Sequence, residues 1–151
     1  MIEALPPGLI LILGALAIPL LPKRAQPFAA VVLPALGFAQ LLLLAPGESH
    51  QLRLFDLELT VVRVDRLSLV FGYIFCLAAF LAAVYALHVK DTLQHVAAMV
   101  YVGAAVGAVF AGDLVTLFVY WELTAISSVF LIWASRTEAA HRSGMRYLVI
   151  Q

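Results

Sequence analysis

The sequence is poor in charge. Only 12% of its 151 residues are Asp, Glu, Lys or Arg, against a hydrophobic share of 64%. A soluble domain carries about 25% charged and about 45–50% apolar residues, so this composition excludes a soluble globular protein and indicates an integral membrane protein. Net formal charge is zero and no basic tract is long enough to grip phosphates, which excludes a nucleic-acid partner. Cysteine is nearly missing: the one thiol, Cys76, cannot close an internal disulfide, has no metal-ligand neighbours, and lies in an apolar run where it packs as a small hydrophobe. The sequence therefore offers neither a metal site nor a cofactor motif. A basic n-region is lacking too. The first charge is Glu3, and Lys23 and Arg24 come only after the first apolar run, so the start reads as a membrane helix rather than a cleavable signal.

What the chain has instead is long apolar runs. The pattern predicts an all-α, polytopic transmembrane helix bundle: about five full spans plus the start of a sixth, with a short extended segment in the outer loop. The spans are placed at residues 6–21, 28–44, 67–87, 94–111 and 113–133. Pro19 loosens the end of the first, and Pro34 lies inside the second. Residues 51–65 read QLRLFDLELTVVRVD, an imperfect alternation broken near Phe55 and at Val61–Val62. That is a hairpin or short extended segment on the membrane surface, or an irregular amphipathic loop. Gly103 and Gly107 give the fourth span a small-residue face for close helix packing. Gly112 marks a very short turn, which makes spans four and five antiparallel neighbours. A basic loop covers residues 136–146, and the sixth span opens near Gly144.

Charge orients this bundle. With the N-terminus outside, the inner loops hold Lys23, Arg24, Lys90, Arg136, Arg142 and Arg146, and the long outer loop holds Arg53, Arg63 and Arg66. That excess agrees with the positive-inside rule for a multi-pass protein of the inner (plasma) membrane. The residues after Gly144 are too few to cross a bilayer. Residues 1–151 thus read as truncated within a sixth span: a fragment, an interrupted reading frame, or a split subunit completed by another chain.

The fifth span, GDLVTLFVYWELTAISSVFLIW, carries the one acidic residue near mid-membrane, Glu122. A charged, unpaired carboxyl there costs roughly 3 kcal/mol or more, and such residues mark ion pathways by default. On a helical wheel Asp113, Thr116, Tyr120, Thr124 and Ser127 fall on one side as supporting polar groups, expected to bond other helices or water. Glu122 falls roughly opposite, among Val115, Phe118, Val119, Ala125, Ile126 and Val129. No span supplies Lys, Arg or His at its depth. Without a partner Glu122 stays neutral; with a movable cation nearby it ionises, and switching between the two passes protons along a wet path. The competing reading is a neutral glutamate that merely packs between helices. Asp113 reads as an N-terminal capping residue. His88 and His95 read as loop-flanking and solvated or interfacial, Trp133 as an interface anchor, and Trp121 as a mid-span ring that must pack.

VDRLSLVFGYIF (residues 64–75), the fifth-span phrase and the closing RYLVIQ (residues 146–151) resemble the antiporter-like membrane subunits. These are the Mrp-type multi-subunit Na+/H+ antiporters and the proton-pumping membrane-arm subunits of respiratory complex I (NADH:quinone oxidoreductase). WELTAISSVFLIW is most similar to the D-type component of the Mrp antiporters. The resemblance spans essentially this whole chain but roughly the first third of a family member. It implies two inverted five-helix repeats, no redox cofactor, and a transporter subunit rather than an enzyme. It also implies that Glu122 is an essential proton-pathway residue whose lysine partner, on the seventh helix, falls beyond Gln151. Asp65 corresponds to an acidic outer-loop position or serves a structural role. The implied partners are the lipid bilayer, the other subunits of the complex, protons and Na+. Three functions remain open: a part of a cation/proton antiporter, a complex I subunit in proton translocation, or a non-conducting structural membrane subunit.

Overall fold

Three helices are long and apolar enough to cross a membrane: residues Arg66–His88, Thr92–Phe110 and Leu114–Trp133. They come from a computed structural model that describes residues 5–54 and 56–150. In order, the elements are α1 (Leu9–Ala17, passing into a 3-10 turn over Ile18–Leu20) and α2 (Gln26–Leu42). Next come β1 (Ser49–Leu54), β2 (Leu57–Arg63) and α3 (Arg66–Tyr85, with a 3-10 turn over Ala86–His88). The chain then forms α4 (Thr92–Phe110), α5 (Leu114–Trp133) and α6 (Glu138–Ile150). The expected break at Phe55 and the first charge at Glu3 lie outside the described residues.

Among the described residues three of the five expected spans are span-length helices, and shorter apolar helices, Leu9–Leu20 and Gln26–Leu42, stand at the first two. Proline is the reason at the first. Pro19 has no amide hydrogen to continue the helical ladder, and α1 tightens into its 3-10 turn around that residue. α2 opens with Pro27 in its first turn and runs through the buried Pro34. Its 17 residues reach about 26 Å, short of a hydrocarbon core of about 30 Å. The sixth helix starts at Glu138 rather than near Gly144. Thr137 caps it, its hydroxyl accepting the Ala140 amide at 3.1 Å, and Glu138 sits favourably at the positive end of the helix dipole. Arg142 and Arg146 therefore belong to α6, and the basic loop shrinks to residues 134–137.

The extended segment is a hairpin. β1 and β2 pair antiparallel from Ser49↔Arg63 to Leu54↔Leu57, with a bulge where His50 faces Val62 but Gln51 faces Thr60. Val61 is the extra residue, so the break in alternation at Val61–Val62 is a register shift that keeps Val62 and Val64 pointing inward. Both are buried in a cluster with Leu11, Leu41, Leu69, Cys76, Val106 and Phe110. A second cluster, Ala15, Ile18, Ala30, Ala83 and Met99, fills the other end of the bundle with smaller side chains.

α1 packs on α4, α2 on α3, and α3 on α4; α5 lies outside them against α4 and α6. Thr92 donates to Gln26 at 2.6 Å, Gln26 donates to the Leu21 carbonyl at 3.1 Å, and Arg136 pairs with Asp91 at 3.3 Å. Those contacts bring the α1–α2, α3–α4 and α5–α6 connections to one end and the hairpin to the other. Lys23, Arg24, Lys90 and Arg136 thus gather away from the hairpin, as the alternating topology requires.

Small residues set how closely the helices approach. Gly8 takes a left-handed φ of 88° at the start of α1. A Cβ on Gly103 would stand 2.7 Å from Ile12 and 2.8 Å from the Gly8 carbonyl. A Cβ on Gly107 would overlap the Tyr120 ring. Gly107→Val is expected to lower stability by about 1–3 kcal/mol through overpacking, and Tyr120→Ala on that background to recover part of it. Thermal unfolding of the detergent-solubilised protein reads both.

Candidate functional site on α5

α5 begins with a sharp turn and a carboxylate. Asp113, extended at φ −138° and ψ 163°, accepts the Thr116 amide and the Thr116 hydroxyl, each at 2.8 Å. That side chain satisfies a helix-start amide that has no intrahelical partner. Burial raises the Asp113 pKa, but the hydrogen bonds from Thr116, with the amides of Val115 and Thr60, outweigh it and leave the carboxyl below its ordinary value. Asp65 does the same for α3, accepting the Ser68 amide at 2.7 Å. Its pKa is lowered by the Ser68 amide and hydroxyl, and further by Arg63, which stands 3.8 Å away.

The Thr124, Ser127 and Ser128 hydroxyls donate within α5 itself and not to another helix. Thr124 donates to the Trp121 carbonyl at 2.6 Å. Ser127 donates to the Leu123 carbonyl at 2.7 Å, and Ser128 to that of Ala125 at 2.7 Å. In an apolar setting the nearest acceptor is the carbonyl one turn back, and the short Ser and Thr side chains take it. Tyr120 packs over Gly107. Of the supporting residues, the fold joins only Asp113 to Thr116. Among the described residues no hydrogen bond or ion pair links Thr116, Tyr120, Thr124 or Ser127 to Glu122.

Glu122 is the ninth residue of the 20 in α5, about 12 Å along a helix of about 30 Å. It is half-buried and lies in an open groove of about 440 Å³ whose other lining residues are Leu114, Leu117, Phe118 and Trp121. All of these belong to α5 itself. Further along the same side of the helix Ala125 and Val129 are buried, and Ser127 is buried on another side. Trp121, expected to pack, is 60% exposed, and Phe118 beside it is 61% exposed. The reason is geometric: among the described residues, α5 packs mainly against α4 and α6, with a smaller contact to β2. Glu122 has no cation and no hydrogen-bond partner among the described residues. The carboxyl thus lies beside the exposed Phe118 and Trp121 on an apolar stretch of α5.

The far end of α5 is also secured. Arg136 adopts a left-handed φ of 53° as the chain leaves the helix, and its amide reaches the Trp133 carbonyl at 2.9 Å. The Arg136–Asp91 pair is 75% and 20% exposed at its two side chains, so it guides the loop more than it stabilises the fold. Trp133 stacks on His141 with centroids 5.4 Å apart, and a Cβ on Gly144 would overlap its indole.

His95 was not expected inside. It is 4% exposed, and its Nε2 donates to the Val89 carbonyl at 2.8 Å. The spacing held the signal: Asp91 caps α4, accepting the Leu93 amide at 3.2 Å, and a residue four further on lies one turn in, able to reach back to the loop.

No protein-family model matches this chain. A stretch of 86 residues is 35% identical to a protein of Staphylococcus epidermidis described as a candidate antiporter subunit, mnhA2. The match covers 52% of this chain and 11% of that protein, so the chain spans about a tenth of the relative's length.

The lowered pKa of Asp113 carries a sign. A carboxyl more acidic in the fold than in the unfolded chain stabilises the fold above its unfolded pKa of about 4, and that contribution disappears as pH falls through the lowered value. Asp113→Ala is expected to cost about 1 kcal/mol near neutral pH. Thermal unfolding in detergent should show the gap to wild type closing only in acid.

Proposed function

We propose that this chain is the N-terminal membrane part of an Mrp-type antiporter subunit, one component of a multi-subunit complex in the plasma membrane. In this reading it carries protons across in exchange for a monovalent cation such as Na+, and it is a transporter component rather than an enzyme. The observation that carries the proposal is Glu122, a carboxyl about halfway along a span-length apolar helix with no partner on its own face. The similarity to an antiporter subunit supports the same reading.

The chemistry follows from the environment. In a low-dielectric setting the charged carboxylate is costly alone and favourable beside a cation. A basic group from another part of the assembly, moving toward or away from the open face of α5, makes Glu122 release or take up a proton. Water reaching the groove between Phe118 and Trp121 completes the path. The hydroxyls of Thr124, Ser127 and Ser128 are held by their own helix, so they shape α5 and do not relay.

Glu122→Gln keeps size and polarity but cannot exchange a proton. In the complete complex it is expected to reduce Na+-driven proton movement to background while the complex still assembles, and Glu122→Asp to retain part of the rate. Proton-sensitive fluorescence in inverted vesicles, with subunit content measured in the same membranes, is the check. Wild-type flux in the Gln variant overturns the proposal.

A further inference from the structure

The helix that carries Glu122 is held at its start by the hairpin, through one residue. Thr60 pairs with Gln51 across the hairpin, but its carbonyl points out of the ladder and accepts the Gly112 amide at 2.9 Å. In an extended strand the amide and carbonyl of one residue point to the same side. The Thr60 amide accordingly faces the Asp113 carboxylate. Both backbone groups of Thr60 are thus turned toward the α4–α5 connection.

The approach is tight. A Cβ on Gly112 would overlap the Thr60 methyl group and stand 2.7 Å from the Thr60 carbonyl oxygen. The carboxylate that meets Thr60 is also the one that caps α5 through Thr116. Hairpin, turn and first helical turn form one hydrogen-bonded unit. The hairpin is itself a fixed reference, because Val62 and Val64 are each 1% exposed and pack with Val106 and Phe110 at the end of α4. Around Glu122 itself the groove is lined by α5 residues alone.

We infer that Thr60 is a positioning residue for Glu122: its paired backbone groups on Gly112 and Asp113 set the depth and rotation of α5, and with them what the carboxyl meets. This rests on the reading of Glu122 as a proton carrier. A slip of one residue at the helix start turns every α5 side chain by about 100° and moves it about 1.5 Å along the axis. That is enough to take the carboxyl out of reach of a partner group.

The test uses the complete antiporter complex in native membranes. Thr60→Pro removes the amide that meets Asp113, Gly112→Ala forces the turn away from Thr60, and Thr60→Val keeps both backbone groups. Two quantities are read: proton flux as a function of pH and cation concentration, and the maleimide labelling rate of a Phe118→Cys site on a Cys76→Ala background. The expected result for both Thr60→Pro and Gly112→Ala is a displaced pH profile, a fall in maximal flux of at least about tenfold, and altered labelling. Thr60→Val is expected to match wild type in all three. Should Thr60→Pro fail to accumulate, Gly112→Ala decides alone. A wild-type pH profile and labelling rate in Gly112→Ala overturn the inference. If Glu122→Gln abolishes flux while Gly112→Ala changes neither readout, only the positioning role fails. If Glu122→Gln transports normally, the functional reading fails, and the labelling rate still decides whether Thr60 sets the helix.

Discussion

An ionisable carboxyl about halfway along an apolar helix is costly, roughly 3 kcal/mol or more when charged and alone, and this fold offers it none of its own polar groups. Several other polar side chains do find acceptors within the fold. Thr124, Ser127 and Ser128 bond carbonyls within α5. Thr92 and Gln26 bond each other, and His95 bonds a loop carbonyl. Asp65, Asp91 and Asp113 cap the helices that follow them. Local closure of this kind is what an apolar environment demands, since a polar group left open there has no water to turn to. Glu122 stands apart from that pattern, with no hydrogen bond or ion pair among the described residues.

The rest of α5 is arranged as a beam supported near its ends. Close to the hairpin, Thr60, Gly112 and Asp113 fix where the helix begins. At the other end the left-handed Arg136 and the Trp133–His141 stack fix how it leaves. Along its length, contact with α4 is close because Gly107 has no side chain to keep Tyr120 away. Lateral support comes from α4 and α6, and the groove beside Glu122 is lined by α5 alone.

Much of this could be read from the residues. α3, α4 and α5 fall close to where the apolar runs placed them, and the capping role of Asp113 follows from its position before a helix. The interrupted alternation at Val61–Val62 is the bulge itself. What the sequence did not reveal shares a physical cause. In a chain this apolar, periodicity cannot tell a face against protein from a face left open, so Trp121 was expected to pack and instead stands outward. Residue type likewise does not say which acceptor a hydroxyl takes when the nearest carbonyl is one turn away. The α6 boundary was missed because its first turns are polar and look like loop, although Thr137 and Glu138 together make a serviceable helix start. The first helix fell short of span length because Pro19 ends regular hydrogen bonding before the apolar run ends.

The sequence contains two tryptophans, and they occupy opposite surroundings on the same helix. Trp121 lies open beside Glu122, whereas Trp133 is pressed against the imidazole of His141. An imidazole ring in contact drains an excited indole, more so once protonated, while an indole on an open apolar face emits according to the polarity around it. Native α5 thus contains its own pair of optical reporters. One is dimmed by the docking of α6, and the other is tuned in colour by whatever comes to rest on the groove.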